Sequence, residues 1–287
     1  MKSSLVTEFQ LVCDKEWEVP LSQSTFFAGV LVGAITFGWL SDLWGRKKTF
    51  MVGLMMTVTF GSVAAASTSQ LMFTVFQFFT AMGQVGLFQT TFVIAVELVG
   101  PSKRVFCGIA IEYFFVLGEL YLALVSWYFR KWRYIQLANV LPGVLFFSYY
   151  FIMPESIRWL LTKKKYNKAH DILQKLATRN NVTLPSNEEM HMFKKQEEIV
   201  SDDQDESMFD LLKRPRMICR LLNVFLSWFC ITLIYYGISM NASSLAGDVY
   251  LNFALLSICE VPGKDGNGKR DRISSRVAIL ILLPECH

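Results

Sequence analysis

Long apolar runs that contain almost no charged residue constrain this chain more than any other feature of its sequence. A helix needs about 20 apolar residues to cross roughly 30 Å of hydrocarbon, and several runs reach that length. Only 18% of the residues are charged, whereas soluble domains carry about a quarter. The sequence therefore predicts an all-α integral membrane protein.

Polar turns divide the apolar residues into six full spans and a seventh that is cut short. The predicted spans cover residues 21–40, 50–66, 71–96, 105–129, 134–153, 217–240 and, incompletely, 249–262. In the polar stretch after the fifth span, apolar residues at helical spacing predict an amphipathic surface helix. They are Ala169, Ile172, Leu173, Leu176 and Ala177. Further along, Ser186 and Glu189 predict a capping box, and the acidic run 197–206 predicts a solvated linker.

Basic residues occupy alternate breaks between the spans. They occur at 46–48, at 103–104 and through the polar stretch 157–216, and the other breaks lack them except at 130–133. Because cytoplasmic loops carry an excess of lysine and arginine, odd-numbered spans are expected to end in the cytoplasm. The polar start of the chain would then lie outside, which predicts a further helix preceding it.

The break after the first span, residues 38–48, contains a G-x-x-x-D-x-x-G-R spacing. The first glycine leaves room for another helix to approach, and Gly45 permits a tight turn. Asp42 can face a helix N-terminus or a cation, and Arg46 can pair with a carboxylate, for which Glu97 is the natural candidate. A basic stop-transfer turn would need only the positive charges and would not explain this spacing.

The spacing resembles the loop signature of the major facilitator superfamily. Three other segments resemble its organic cation/carnitine transporter branch. The segment S-L-V-T-E-F-Q-L-V-C at 4–13 is similar to the end of that branch's large extracellular loop. P-E-S-I-R-W-L at 154–160 is similar to the end of its sixth helix, an ending shared with sugar porters. Residues 235–262, with Y-Y-G-I-S, L-A-G-D and E-V-P, are similar to its helices seven and eight.

The resemblance implies a partial major facilitator fold, comprising helices 2–7 and the start of helix 8 of a 12-helix transporter. Residues 1–20 would end the extracellular loop, 21–156 would form helices two to six, and 157–216 would form a cytoplasmic loop. Residues 217–262 would begin the second half, and 263–287 form a divergent tail. The resemblance also implies a gating loop, which comprises Gly38, Asp42, Gly45, Arg46, Lys47 and Glu97.

Polar and aromatic residues inside the spans are the candidates for substrate binding. Glu112 and Glu119 lie seven residues apart on one face of the fourth span, where a carboxylate could attract an organic cation. The alternative is that each is protonated, or pairs with a neighbouring helix and only aids assembly. Aromatic residues in the sixth span could form a cation–π surface, although packing or an interfacial belt would also explain them. The candidates are Gln84, which matches the branch pattern, with Glu112, Glu119, Trp228, Tyr235 and Tyr236.

The implied activity is transport of organic cations or zwitterions such as carnitine, by alternating access at the plasma membrane, with possible sodium coupling. Asn241 begins a sequon on the predicted outer side and is a glycosylation candidate. We expect no metal site, because the cysteines form no CxxC pair. We also expect no cofactor, no nucleic-acid partner and no enzymatic activity. The alternative is a non-transporting truncated fragment. A sugar or organic-anion porter is less favoured, and the segment 4–13 argues against a sugar porter.

Overall fold

The computed structural model describes residues 4–100, 103–180, 215–241 and 249–264, in which all regular elements are helices. This confirms the predicted all-α class. Two units divide the chain, Met1–Lys175 and Leu176–His287. The described α-helices are α1 (Leu5–Glu8), α2 (Glu18–Trp44), α3 (Arg46–Ala65), α4 (Gln70–Leu98), α5 (Arg104–Phe129), α6 (Trp132–Val140), α7 (Tyr149–Ile152), α8 (Ile157–Thr162), α9 (Tyr166–Asn180), α10 (Pro215–Asn241) and α11 (Val249–Lys264).

Six helical stretches among the described residues are long and apolar enough to cross a membrane. They are Cys13–Trp44, Arg46–Ala65, Gln70–Leu98, Arg104–Phe129, Trp132–Ile152 and Met217–Gly237. These stretches match the six full spans predicted from the sequence. Many of their large apolar side chains are exposed, including Leu31 and Phe114. Such surfaces are stable against hydrocarbon and would be a liability in water.

Close contact between backbones organises the centre of the first unit, where α2 and α3 pack on α4. A Cβ atom at Gly33 of α2 would lie only 2.7 Å from the Cα of Met82 on α4. A Cβ at Gly86 of α4 would lie 2.4 Å from the ring of Phe37, which is buried. Small residues allow this approach where lipid supplies no hydrophobic driving force between helices.

The fifth span changes helical type in its middle. Between α6 and α7, residues Leu141–Ser148 form a 3-10 helix with a proline in its first turn. Pro142 has no N–H to donate, and its ring disfavours the continuing α-helix. The following residue, Gly143, lies so close to α3 that a Cβ there would be 2.9 Å from Val58 Cγ2. The span therefore changes from α-helical to 3-10 hydrogen bonding in its middle while it stays packed on α3.

A short helical hairpin follows the fifth span. The Ser156 hydroxyl caps α8 by accepting a bond from Trp159 N at 3.2 Å. Trp159 and Leu160 form a buried cluster with Ala169 of α9. The amphipathic helix predicted around Ala169 is confirmed by α9. The predicted capping box at 186–189, the acidic run 197–206 and almost all of the tail lie outside the described residues.

In the second unit, the described helices are α10 and α11. The helix α10 contains the predicted sixth span within its limits. The seventh span was expected to stop at Pro262, but α11 ends at Lys264. The helix thus continues two residues past the expected end of the span. The physical reason is that a proline affects the turn that precedes it, so its ring does not prevent two further helical residues.

Candidate functional site

A sharp turn joins α2 to α3 at the face predicted to be cytoplasmic. The helix α2 ends at Trp44 and α3 begins at Arg46, which leaves Gly45 alone between them with φ of 97°. Residues with a side chain rarely adopt this conformation. A Cβ there would also lie 2.6 Å from the Oε2 atom of Glu155. Two independent constraints therefore require glycine at position 45.

Arg46 joins the ends of three helices through its guanidinium. Its Nε and Nη2 atoms donate to the two carboxylate oxygens of Glu97 on α4, each at 3.3 Å. Its Nη1 atom donates to the carbonyl of Ser41 at 3.1 Å and to Asp42 Oδ1 at 3.0 Å, both on α2. The side chains of Arg46 and Glu97 are only 12% and 11% exposed. The expected pair is therefore present as a partly buried, two-pronged ion pair.

Glu155 caps the start of α3 from the far end of the fifth span. Its Oε1 atom accepts bonds from the backbone N–H groups of Arg46 at 2.9 Å and Lys47 at 3.1 Å. It also accepts from Ser156 N at 3.1 Å. A helix N-terminus has unpaired N–H groups and a partial positive charge, and the N-cap residue Gly45 has no side chain to offer. The carboxylate of Glu155 fills that role across 109 residues of sequence.

The hairpin α8–α9 is attached to the same cluster. The Ser156 hydroxyl lies 2.5 Å from Glu97 Oε2, and the indole N–H of Trp159 donates to the Asp42 carbonyl at 2.9 Å. We name the set Asp42, Arg46, Glu97, Glu155, Ser156 and Trp159 the cytoplasmic cluster. It holds together the ends of α2, α3, α4 and α8. The Arg46 guanidinium and the N-terminus of α3 give its carboxylates positively charged or N–H partners, which partly buried charges require.

The remaining residues of the predicted gating loop lie beside this cluster. The Lys47 ammonium is 4.7 Å from the centre of the Tyr150 ring, a cation–π distance. Gly38 lies one helical turn before Asp42 on α2, and a Cβ there would be 3.2 Å from the Gln89 amide nitrogen. The structure therefore gathers the six predicted loop residues at one end of the helices α2–α4.

Three members of the cytoplasmic cluster were missed as functional residues from sequence: Glu155, Ser156 and Trp159. They entered the sequence analysis only as part of a segment similar to a family motif. A signal was nevertheless present, since a serine that precedes a helix predicts an N-cap. The partner of a carboxylate more than a hundred residues away cannot be identified from spacing.

Substitution of Glu155 tests its role as the cap of α3. We expect Glu155→Ala to lower the free energy of unfolding by about 2 kcal/mol, because three N–H groups lose one acceptor. Glu155→Gln keeps an acceptor oxygen and loses only the charge, so its effect should be about half as large. Thermal unfolding of the purified full chain in detergent measures both. Equal stability of all three proteins would refute the cap.

The substrate-binding candidates lie on three helices. Gln84 is exposed on α4, and Glu112 and Glu119 are half-buried on α5. Trp228, Tyr235 and Tyr236 lie on α10 in the second unit, where the two tyrosine rings meet edge to face at 5.3 Å. None of the six belongs to the cytoplasmic cluster, and their binding roles stay predictions. Asn241 is the last residue of α10.

A second charged cluster lies at the opposite end of α3. The Glu8 carboxylate accepts bonds from the Arg133 guanidinium at 2.7 Å and from the Trp132 indole at 2.6 Å. Arg133 also donates to the carbonyls of Ala65 and Ser67, each at 2.6 Å, where α3 ends. A cavity of about 490 Å³ adjoins these groups. Arg133 was an exception to the charge rule for orientation, and its pairing with Glu8 and the helix end explains why it is stable there.

Comparison with known proteins gives a consistent result. Residues 12–256 match the family described as sugar (and other) transporters. The organic cation transporter protein of Drosophila melanogaster is 37% identical over 267 residues, covering 91% of this chain and 49% of that protein. Solute carrier family 22 member 4 of Mus musculus is 34% identical over 269 residues, with 91% and 47% covered. Organic cation/carnitine transporter 2 of Homo sapiens is 32% identical over 261 residues, with 91% and 47% covered. The chain spans about half the length of these relatives.

Solved structures agree on the fold. The proton:xylose symporter XylE of E. coli has a TM-score of 0.69 with this chain at 17% identity, covering 90% of this chain and 60% of that one. Its partially occluded inward open form has a TM-score of 0.61 at 16% identity, with 85% and 57% covered. At this identity the likeness concerns the fold alone. It agrees with a partial major facilitator fold in a multi-pass membrane protein.

Proposed function

Because this chain belongs to the sugar (and other) transporter family of the major facilitator superfamily, we propose that it serves transmembrane transport of organic cations or zwitterions. The observation that carries the proposal is the similarity to organic cation transporters along 91% of the chain. The sugar symporter is only 17% identical over a similar extent. This difference favours an organic cation over a sugar as the cargo. Transport at the plasma membrane is part of the proposal.

In this proposal, transport proceeds by alternating access, in which one half of the bundle moves against the other around a midplane site. The cytoplasmic cluster includes Asp42, Arg46 and Glu97 of the gating loop, and its hydrogen bonds keep the ends of α2, α3 and α4 together during the movement. Sodium coupling is part of the proposal for carnitine-like zwitterions.

The binding side chains proposed for a cation are of two kinds. The carboxylates of Glu112 and Glu119 lie within the apolar helix α5, where a charge is screened less than in water. The aromatic rings of α10 present faces that attract a quaternary ammonium group. Trp228 is 66% exposed and Tyr236 is 41% exposed, so their rings are accessible. Gln84, exposed on α4, adds a neutral hydrogen-bonding group.

Uptake of tetraethylammonium and of carnitine, with and without external sodium, tests the proposal in cells that express the full chain. We expect uptake above that of vector-only cells, and sodium should increase the carnitine signal. Glu119→Gln should raise the KM for tetraethylammonium about tenfold, a loss of roughly 1.4 kcal/mol of binding. Glu16→Gln is the matched control, because Glu16 is an exposed carboxylate that precedes α2 and lies on a different element from Glu119.

Two results would count against this proposal. Chain that reaches the cell surface without any uptake would support the fragment hypothesis. Uptake of xylose with no competition by tetraethylammonium would support a sugar porter.

A further inference from the structure

The turn between α8 and α9 displays three consecutive lysines in a fixed conformation. Lys163 N, Lys164 N and Lys165 N donate to the carbonyls of Trp159, Leu161 and Leu160 at 2.9, 2.8 and 2.8 Å. Lys164 has φ of 57°, the left-handed conformation that ends many helices. Glycine or asparagine usually fills such a position, since other side chains strain it. Lysine at position 164 costs backbone free energy relative to glycine. A role for its side chain would explain why lysine is present there.

We name residues 158–168 the basic turn. Its positive charge is not neutralised by ion pairs within the described structure. Its cations are all exposed: Arg158, Lys163, Lys164, Lys165 and Lys168. No ion pair joins any of them to a carboxylate within residues 4–100, 103–180, 215–241 and 249–264. Where the structure describes the chain, one of these cations has a ring partner: the Lys165 ammonium is 4.8 Å from the centre of the Trp159 ring. By contrast, Arg46 and Arg133 both pair with glutamates.

The cytoplasmic cluster holds this basic turn close to the ends of the spans. The indole of Trp159 donates to the carbonyl of Asp42 near the end of α2. Leu160 is 3% exposed and Ala169 is 1% exposed, so α8 and α9 are packed against each other. The turn is thus anchored on both sides. Its charges lie at the face where the basic residues of the loops are expected, beside the inner leaflet.

We propose that the basic turn, Arg158 to Lys168, binds a polyphosphorylated lipid headgroup of the inner leaflet. Clusters of four or more lysines and arginines directly after a membrane helix attract anionic lipids. Three consecutive exposed lysines on one turn concentrate positive charge in one short segment. That arrangement suits a headgroup with several phosphates better than the single net charge of phosphatidylserine. This site is separate from the proposed transport pathway.

Binding of water-soluble dioctanoyl phosphatidylinositol 4,5-bisphosphate to the purified full chain tests the site. Native mass spectrometry in detergent, or a fluorescence titration, gives the affinity. Each lysine removed should weaken binding about fivefold, so the variant Lys163→Gln/Lys164→Gly/Lys165→Gln should lose about a hundredfold. Dioctanoyl phosphatidylserine should bind the unaltered chain at least tenfold more weakly. Inositol trisphosphate distinguishes a free phosphate ligand from a lipid, and it should bind more weakly than the lipid.

The single variant Lys164→Gly separates binding from folding. Glycine suits the left-handed conformation, so the melting temperature should stay the same or rise, while the affinity for the bisphosphate lipid falls about fivefold. The triple control Lys15→Gln/Arg130→Gln/Lys131→Gln removes the same charge from exposed positions on the other face. That control should keep the affinity within twofold.

Three results would overturn the site. The first is an unchanged affinity in the triple basic-turn variant, and the second is an equal loss in the triple control. The third is a chain that binds the lipid only after the acidic residues of 197–206 are neutralised. That result would show that the basic turn pairs with the acidic segment of the same chain instead of with lipid. Uptake measurements are not part of this test, so failure of the lipid site leaves the proposed transport function unaffected.

Discussion

Replacing Arg46 with methionine is expected to lower the free energy of unfolding by about 3–5 kcal/mol, the usual loss when one partner of a buried ion pair is removed. The variant leaves the Glu97 carboxylate only 11% exposed without its cation. Glu97 is the penultimate residue of α4, where the helix dipole already disfavours negative charge. The melting temperature of the full chain in detergent measures the effect, with unfolding monitored by size-exclusion chromatography.

Two control variants identify the interaction that is lost. Arg46→Lys keeps the charge but cannot form the two-pronged contact, so an intermediate loss of about 1–2 kcal/mol is expected. The double variant Arg46→Met/Glu97→Gln removes both charges and should recover at least half of the stability lost by Arg46→Met. A double variant that is as unstable as the sum of its single variants would show that the two residues act independently.

Replacing Gly33 with leucine is expected to destabilise the first unit by about 3 kcal/mol or more, through overpacking that the backbone cannot relieve. The new Cβ would lie 2.7 Å from the Cα and 2.9 Å from the carbonyl oxygen of Met82. Both atoms belong to the backbone of α4, so no side chain can rotate away. We expect little monodisperse protein in fluorescence-detected size-exclusion chromatography.

The same substitution at Gly118 is the matched control. Gly118 lies in α5, is exposed, and has no described residue within 4 Å of its hypothetical Cβ. Gly118→Leu adds an apolar side chain to a helix suited to lipid, so the yield and melting temperature should not fall. Comparable losses at Gly33 and Gly118 would contradict the idea that contact between α2 and α4 sets the requirement.

The first unit is thus held by different interactions at its ends and in its middle. At the end predicted to be cytoplasmic, Arg46 joins α2, α3 and α4 through charged hydrogen bonds. At the other end, Arg133 bonds the end of α3 and the Glu8 carboxylate. Between them, glycines such as Gly33 bring the helices into contact. Charged groups lie where water reaches the helix ends, and small residues lie where hydrocarbon excludes water.

The sequence by itself determined the number, length and class of the spans. Twenty or so apolar residues in a row have few alternatives to a membrane helix, and the structure places six such helices near the predicted limits. The repeated apolar residues around Ala169 likewise predicted α9, because a 3.6-residue period describes one helix face wherever that helix lies. These are local properties, and neighbouring residues are enough to express them.

Only the tertiary structure decided which polar groups meet. The pairing of Arg46 with Glu97 could be suggested from sequence, since both residues end predicted spans at one face. The cap that Glu155 supplies to α3 could not, and neither could the pairing of Glu8 with Arg133 across 125 residues. A hydrogen bond depends on positions within a few tenths of an ångström, and those positions follow from how whole helices pack. Sequence spacing determines which residues share one face of a helix, whereas packing determines which residues of other helices contact that face.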